Sequence, residues 1–218
     1  SVSRQGANRK GFEAREASER GEVTYLPIAP QDIGCSYEAV IRVNSQSGIS
    51  GSAWLIEQSH GLKLPRALQQ DFSQHVQRET DTHGQEMTQN ALWQLFRERY
   101  GLMAQPPMAL VNYKSESRKD GQLRLQATLT HEGIERQLEG QGNGLLSAAA
   151  SALSHLLNKP FSIKDYHEHT LGERSDSRSV AYIHCLFPDG SGHWGVGIDN
   201  DVARASLQAL LNALNNGR

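Results

Sequence analysis

The chain has 218 residues, enough to bury one or two hydrophobic cores. Its 22 Lys and Arg nearly balance 24 Asp and Glu, and a net charge of −2 supplies no field that would gather nucleic acid or anionic lipid. No apolar run approaches the roughly 20 residues of a membrane span. The start, Ser1-Val2-Ser3-Arg4-Gln5, has neither Met nor a signal-like apolar core, so a cytoplasmic protein and a fragment of a longer one are expected.

Residues 1–24 are polar helix formers with little apolar surface, a combination that needs a partner to stay helical. Tyr25-Leu-Pro-Ile-Ala-Pro30 follows as an extended segment, because its prolines forbid helix. From Tyr37 the period is two: Tyr37, Ala39, Ile41 and Val43 alternate with Glu38, Val40, Arg42 and Asn44, which predicts a half-buried strand. Gly48 and Gly51 then mark a turn into a second apolar run, Ala53-Trp54-Leu55-Ile56, read as the return strand of a hairpin. Leu64-Pro65 opens a helix with Leu68, Phe72 and Val76 on one face. Thr88 is the N-cap of another, which carries Leu92, Leu95 and Phe96 and stops near Gly101. Gln105-Pro106-Pro107 is the clearest domain boundary.

Beyond it the pattern repeats. Residues 108–158 predict three strands and a helix bearing Leu146, Ala149, Leu153, Leu156 and Leu157. Residues 161–217 predict the same again, the last helix bearing Val202, Leu207, Leu210, Leu211 and Leu214. The fold class is therefore α+β, a duplicated βββα module preceded by smaller elements. Trp54, Trp93 and Trp194 lie in apolar runs and are expected in cores. Cys35 and Cys185 stand far apart without metal-ligand spacing, which fits free thiols.

Few motifs carry chemistry. Gly140-Gln-Gly-Asn-Gly144 between a strand and a helix, with Asp165 further on, has the outline of a dinucleotide fingerprint. That fingerprint needs a parallel βαβ unit, whereas the short turns here imply antiparallel strands. Two readings remain: the backbone N–H groups at the helix start hold a carboxylate, or these are ordinary turn glycines. His167 and His169 share a strand face as a metal pair would, but no third ligand accompanies them and no metal is assigned. Ser45-Gln46-Ser47-Gly48 reads as a polar turn rather than a reactive serine loop.

Several segments resemble the long-form 2-isopropylmalate synthases: Tyr25-Leu-Pro-Ile-Ala-Pro30, Tyr37-Glu-Ala-Val-Ile-Arg-Val-Asn-Ser-Gln-Ser-Gly48, His60-Gly-Leu-Lys-Leu-Pro-Arg66 with Phe72-Ser73, Gly142-Asn-Gly144, Asp165-Tyr-His-Glu-His169 and Trp194-Gly-Val-Gly-Ile198. They run in order across nearly the whole chain; citramalate and homocitrate synthases look less similar. The family condenses acetyl-CoA with 2-oxoisovalerate on a metal-dependent β/α barrel in leucine synthesis. The resemblance implies that this chain holds none of that barrel, needs no cofactor of its own and is inactive alone. It implies two linker subdomains, 1–34 and 35–105, and a leucine-binding, dimer-forming regulatory domain over 106–218. The implied partners are leucine or a related amino acid, a second copy of the chain and the barrel of a parent acyltransferase, with neither nucleic acid nor membrane. A stand-alone amino-acid-binding or interaction protein, or the regulatory part of a paralogue using another 2-oxo acid, is the alternative.

Carried over by position, the leucine pocket comprises Gly142, Asn143, Gly144, Leu146, Ile163, Tyr166, Thr170, Ser177, Ser179 and Ile198. Leu146, Ile163 and Ile198 would enclose the isobutyl group, worth roughly 1.5–3 kcal/mol on full burial, and the helix start after Gly144 would take the carboxylate. Thr170, Ser177 and Ser179 stand where the family has small apolar residues, and Leu145 where it has proline, so a more polar pocket with altered preference is expected. Tyr25 matches a tyrosine that assists chemistry in the barrel, while Arg4 stands at the place of an assisting histidine. A guanidinium stays protonated and cannot act as a base there. Ala29 replaces a usual aspartate, and the stretch from Arg4 to Tyr25 is shorter than the family's.

Overall fold

The computed structural model describes residues 42–43, 48–172, 175 and 177–218. Arg4, Tyr25, Ala29, Cys35 and most of the strand expected from Tyr37 lie outside the described residues; Arg42–Val43 of that strand is β1. The order continues as α1 (Gly48–His60), α2 (Arg66–His83), β2 (Met87–Thr88), α3 (Gln89–Tyr100), β3 (Met108–Ser117), β4 (Leu123–His131), β5 (Ile134–Gly142), α4 (Leu145–Leu157), β6 (Ser162–Leu171), β7 (Arg178–Leu186), β8 (Gly192–Asp199) and α5 (Val202–Asn216). No barrel occurs among these elements.

The expected hairpin is not there. Ala53-Trp54-Leu55-Ile56 lies in helix α1, and β1 pairs antiparallel with β2 instead. A four-residue apolar run does not distinguish strand from helix. Burial settles it: Ser52, Ala53, Leu55 and Ile56 face inward, while Trp54 is 56 % exposed on the outer side of the helix, so this tryptophan is not a core residue. Trp93 is half-buried, stacked on His60 at 3.7 Å, and Trp194 is buried.

Helices α2 and α3 form as their spacing predicts. Pro65 precedes α2, whose Leu68, Phe72 and Val76 are buried. Thr88 caps α3 by accepting the Ala91 N–H at 3.1 Å, and Gly101 ends it with φ +85°, a left-handed conformation that glycine adopts without strain. Phe72, Phe96 and Tyr100 join the two helices edge to face.

Two antiparallel three-stranded sheets follow, ordered β3-β4-β5 and β6-β7-β8. Each unit rests its helix on its own third strand, α4 on β5 and α5 on β8. The device is the same in both. A Cβ at Gly140 would lie 2.1 Å from Ala148 O, and one at Gly195 would lie 2.1 Å from Ala213 N. A Cβ at Gly197 would lie 2.1 Å from Ala205 O, and one at Gly142 would lie 2.3 Å from Ser147 Oγ and 2.7 Å from Ala148 N. Glycine in the strand and alanine in the helix let the two backbones touch. Gly140 and Gly142 are therefore helix-seating residues rather than turn glycines, and the antiparallel pairing excludes a dinucleotide-type βαβ unit here.

The two sheets differ on their other faces. β4 alternates strictly, burying Leu125, Ala127 and Leu129 under the helices and turning Arg124, Gln126 and Thr128 outward, where Arg124 pairs with Glu139 at 2.8 Å. β7 is nearly continuous in apolar residues, with Val180, Ala181, Tyr182, Ile183 and Cys185 all buried, because both of its faces are covered. The outer cover is the α1–α3 region. Lys63 N–H donates to His169 Nε2, whose other neighbour is the Tyr182 hydroxyl at 2.8 Å, and Asn216 Nδ2 donates to Arg99 O and Trp194 O. Asn215 holds both Met108 N and Met108 O, fixing the entry to β3. Burial pushes the Cys185 thiol up to about 12, so it packs as a neutral side chain.

His184 lies on this covered face, stacked on Trp194, while His193, paired with Cys185, lies on the helix side of β8 beside Phe187. Burial lowers both pKa values, helped by Lys164 near His184 and Arg99 near His193. The unfolded chain then takes up protons more readily than the folded one. Stability present above the ordinary value of 6.5 is lost as pH falls through the lower folded values. The urea midpoint is expected to drop between pH 7 and pH 5, and His193→Gln should flatten that slope; an unchanged slope would remove His193 from the effect.

Candidate functional site

The start of α4 is built by the β5–α4 connection. Gly142 ends β5 flush against Ser147 and Ala148, Asn143 accepts a hydrogen bond from Gln122 Nε2 at 3.1 Å, and Gly144 is the N-cap. Gly144 is fully extended (φ −159°), open space surrounds its α-carbon, and no side chain caps the helix. The first N–H groups of a helix lack intrahelical acceptors and carry its partial positive charge, so this end suits an anion.

The start of α5 is the corresponding end of the second unit, and there the anion is built in. Asp201 is the N-cap, accepting the Ala203 N–H at 3.0 Å, and its other carboxylate oxygen takes a short hydrogen bond from the Tyr113 hydroxyl of β3. Arg204 completes the arrangement, pairing with Asp199 at 3.5 Å and donating to Leu110 O and Val111 O. The sequence reading missed Asp201 and Tyr113; an aspartate directly before a helical period is the signal that would have found the cap.

On β6, a bulge between Ile163 and Asp165 puts Ile163, Tyr166, Glu168 and Thr170 on the face toward the helices, and Asp165, His167 and His169 on the other. The Tyr166 hydroxyl donates to Glu168 Oε2 at 2.5 Å and lies 2.8 Å from Ser206 Oγ of α5. Burial, then the adjoining Glu168 carboxylate, raises the Tyr166 pKa, so the phenol keeps its proton. Thr170 is paired in register with buried Ser179, and Ser177 is half-buried just before β7. The two imidazoles read as a possible metal pair share the far face, where His169 is taken up by Tyr182 and Lys63. Among the described residues, no group of three or more His, Cys, Asp or Glu is placed to hold a metal ion.

The proposed pocket residues thus fall into separate groups within one chain. Leu146 and Ile163 pack against the same apolar core. Tyr166, Thr170 and Ser179 share one sheet face, but α4 rests on β5 and β4 rather than on β6, so Gly142, Asn143 and Gly144 do not meet them there. Because Gly195 and Gly197 face α5, alternation turns Ile198 to the opposite side, where it lines a cleft of about 320 Å³ with Met103, Pro106, Met108 and Gln208.

No helix among the described residues is long and apolar enough to cross a membrane. Residues 86–217 match the LeuA allosteric (dimerisation) domain family, and residues 1–57 match the family described as alpha-isopropylmalate synthase, post-catalytic domain-like. Relatives similar to the chain include proteins named 2-isopropylmalate synthase from Marinomonas sp. (strain MWYL1), 46 % identical over 98 % of this chain, and from Rhodospirillum rubrum, 45 % identical over 99 %. A third, from Pseudomonas putida (strain GB-1), is 44 % identical over 99 % of this chain. The chain spans about 39 % of the length of the first two and 38 % of the third. An α+β protein with two βββα units, matched over 86–217 by that family, belongs to the LeuA allosteric (dimerisation) domain family and corresponds to the regulatory part of 2-isopropylmalate synthase.

Proposed function

We propose that this chain is the leucine-sensing and dimer-forming region of a 2-isopropylmalate synthase, acting by feedback on a catalytic barrel in the same protein. The observation that carries the reading is the inequality of the two helix starts. The second is neutralised from within by Asp201 and Tyr113, whereas the first, after Gly144, has no side-chain cap. A ligand carboxylate at α4 would do for the first unit what Asp201 does for the second.

The two halves of the pocket meet, in this reading, across a twofold dimer. Gly142, Asn143, Gly144 and Leu146 come from one subunit, and Ile163, Tyr166, Thr170, Ser177 and Ser179 from the other. Support comes from the helix-side face of β6, where Tyr166 is 38 % exposed and Glu168 and Thr170 are open, while α4 lies elsewhere in the same chain. The condensation of acetyl-CoA with 2-oxoisovalerate and the divalent metal are assigned to the barrel, not to this chain.

Thermal melting tests the sensing half. Leucine at 100 times its Kd is expected to stabilise the folded protein by about 2.7 kcal/mol, with a matching rise in Tm, while D-leucine leaves Tm unmoved. A transition that millimolar leucine does not shift would remove the proposal.

A further inference from the structure

Strand β6 turns its two faces to different parts of the molecule. Tyr166 and Thr170 lie toward the helices, while His169 and Leu171 alternate with them and lie on the opposite face, against the connection between α1 and α2. That connection, residues 61–65, is pinned by Leu62 and Leu64, both buried. It meets β6 at two points. Lys63 N–H donates to His169 Nε2 at 3.2 Å, and a Cβ at Gly61 would lie 3.3 Å from Leu171 Cδ2. The imidazole is set up to receive that bond. Its Nδ1 lies 3.3 Å from Thr170 O, which assigns the proton to Nδ1 and leaves Nε2 as the acceptor. The Tyr182 hydroxyl reaches the same Nε2 at 2.8 Å, and burial keeps that phenol protonated, so it holds the ring in place as a donor.

We propose that His169 is a positioning residue that couples the two faces of β6, so that occupancy of one face changes how firmly the other grips the α1–α2 connection. The proposal rests on the ligand site proposed above and adds the place where its occupancy is transmitted. Thr170 stands directly between the two gripping residues, and a strand has one backbone for both faces, so Thr170 cannot shift without moving His169 and Leu171. Movement is permitted because β6 is the edge of its sheet and is bulged between Ile163 and Asp165. The end of α3 is anchored separately, through Asn216 to Arg99 O on α5, so the connection can loosen while α3 stays docked.

Hydrogen–deuterium exchange over residues 61–64 of the whole chain, with and without saturating leucine, tests this beside titration calorimetry. Leucine should change the exchange of this segment in the parent protein. In His169→Ala the segment should exchange about 2- to 10-fold faster without ligand, the net worth of one hydrogen bond. Leucine should then no longer alter it, although its affinity stays within about 2-fold of the parent's. His169→Gln, which returns an acceptor near the place of Nε2, should restore the response. Lys63→Pro removes the donor from the other side without touching the sheet and should act as His169→Ala does, which keeps the test open if one variant fails to fold. If leucine binds the parent and either leaves residues 61–64 unchanged or still alters them in His169→Ala, the coupling is overturned and the ligand site stands. If the parent binds no leucine, the site proposal falls and the coupling with it.

Discussion

Gly195→Ala is expected to cost about 3 kcal/mol of folding stability, near the upper end of what overpacking a close contact usually costs. The methyl carbon would fall 2.1 Å from Ala213 N and 2.2 Å from Ala209 O. Both are backbone atoms in the middle of α5, so no side chain can rotate away. Relief requires α5 to lift off β8, and among the described helices α5 carries the most buried residues, including Ala205, Ala209, Leu210 and Ala213. Lifting it would also break the bonds from Asn215 and Asn216 that hold the entry to β3 and the end of α3. The loss should appear as a lower urea midpoint. Gly133→Ala, at a turn with open space but φ +79°, should cost less, roughly 1 kcal/mol. A loss at Gly195→Ala no larger than that at Gly133→Ala would mean that α5 shifts to admit the methyl group and that the close seating is not a strong constraint.

The second large effect concerns the start of α4. Gly144→Asp should stabilise the ligand-free protein by about 1 kcal/mol, because it adds the side-chain cap that the helix lacks at a position with open space around it. The same carboxylate would then occupy the place proposed for the ligand's carboxylate, and would repel it. Leucine affinity is expected to fall roughly 100-fold, the loss of a charge-assisted anion contact at a helix start. The two readouts move in opposite directions, tighter folding and weaker binding, which general damage to the fold cannot mimic. The precedent is internal, since Asp201 holds this position at α5 and is satisfied there by Ala203 N–H and Tyr113. Unchanged leucine binding by a stabilised Gly144→Asp variant would place the carboxylate elsewhere.

The chain's own pattern settled a good deal. Helices α2 and α3 follow from Leu68, Phe72, Val76 and the Thr88 cap, since a 3.6-residue period and a capping hydroxyl act locally. Both βββα units follow from alternation and turns, as in β4, where every second residue is apolar. The cover on both faces of β7 is visible only in the structure, where Val180, Ala181, Tyr182, Ile183 and Cys185 are all buried. Tertiary structure alone decided the rest. It made Ala53-Trp54-Leu55-Ile56 a helix, because a short apolar run is satisfied by whichever geometry its neighbours can bury. It turned Gly140 and Gly142 into seats for α4, a role visible only once the helix backbone lies against them. It placed Ile198 at a cleft with Met103, Pro106 and Gln208, since alternation assigns sides of a strand but not what covers each side. It also set Asp201 against Tyr113, a pairing 88 positions apart that no local period encodes, because only the packing of one unit upon the other brings them together.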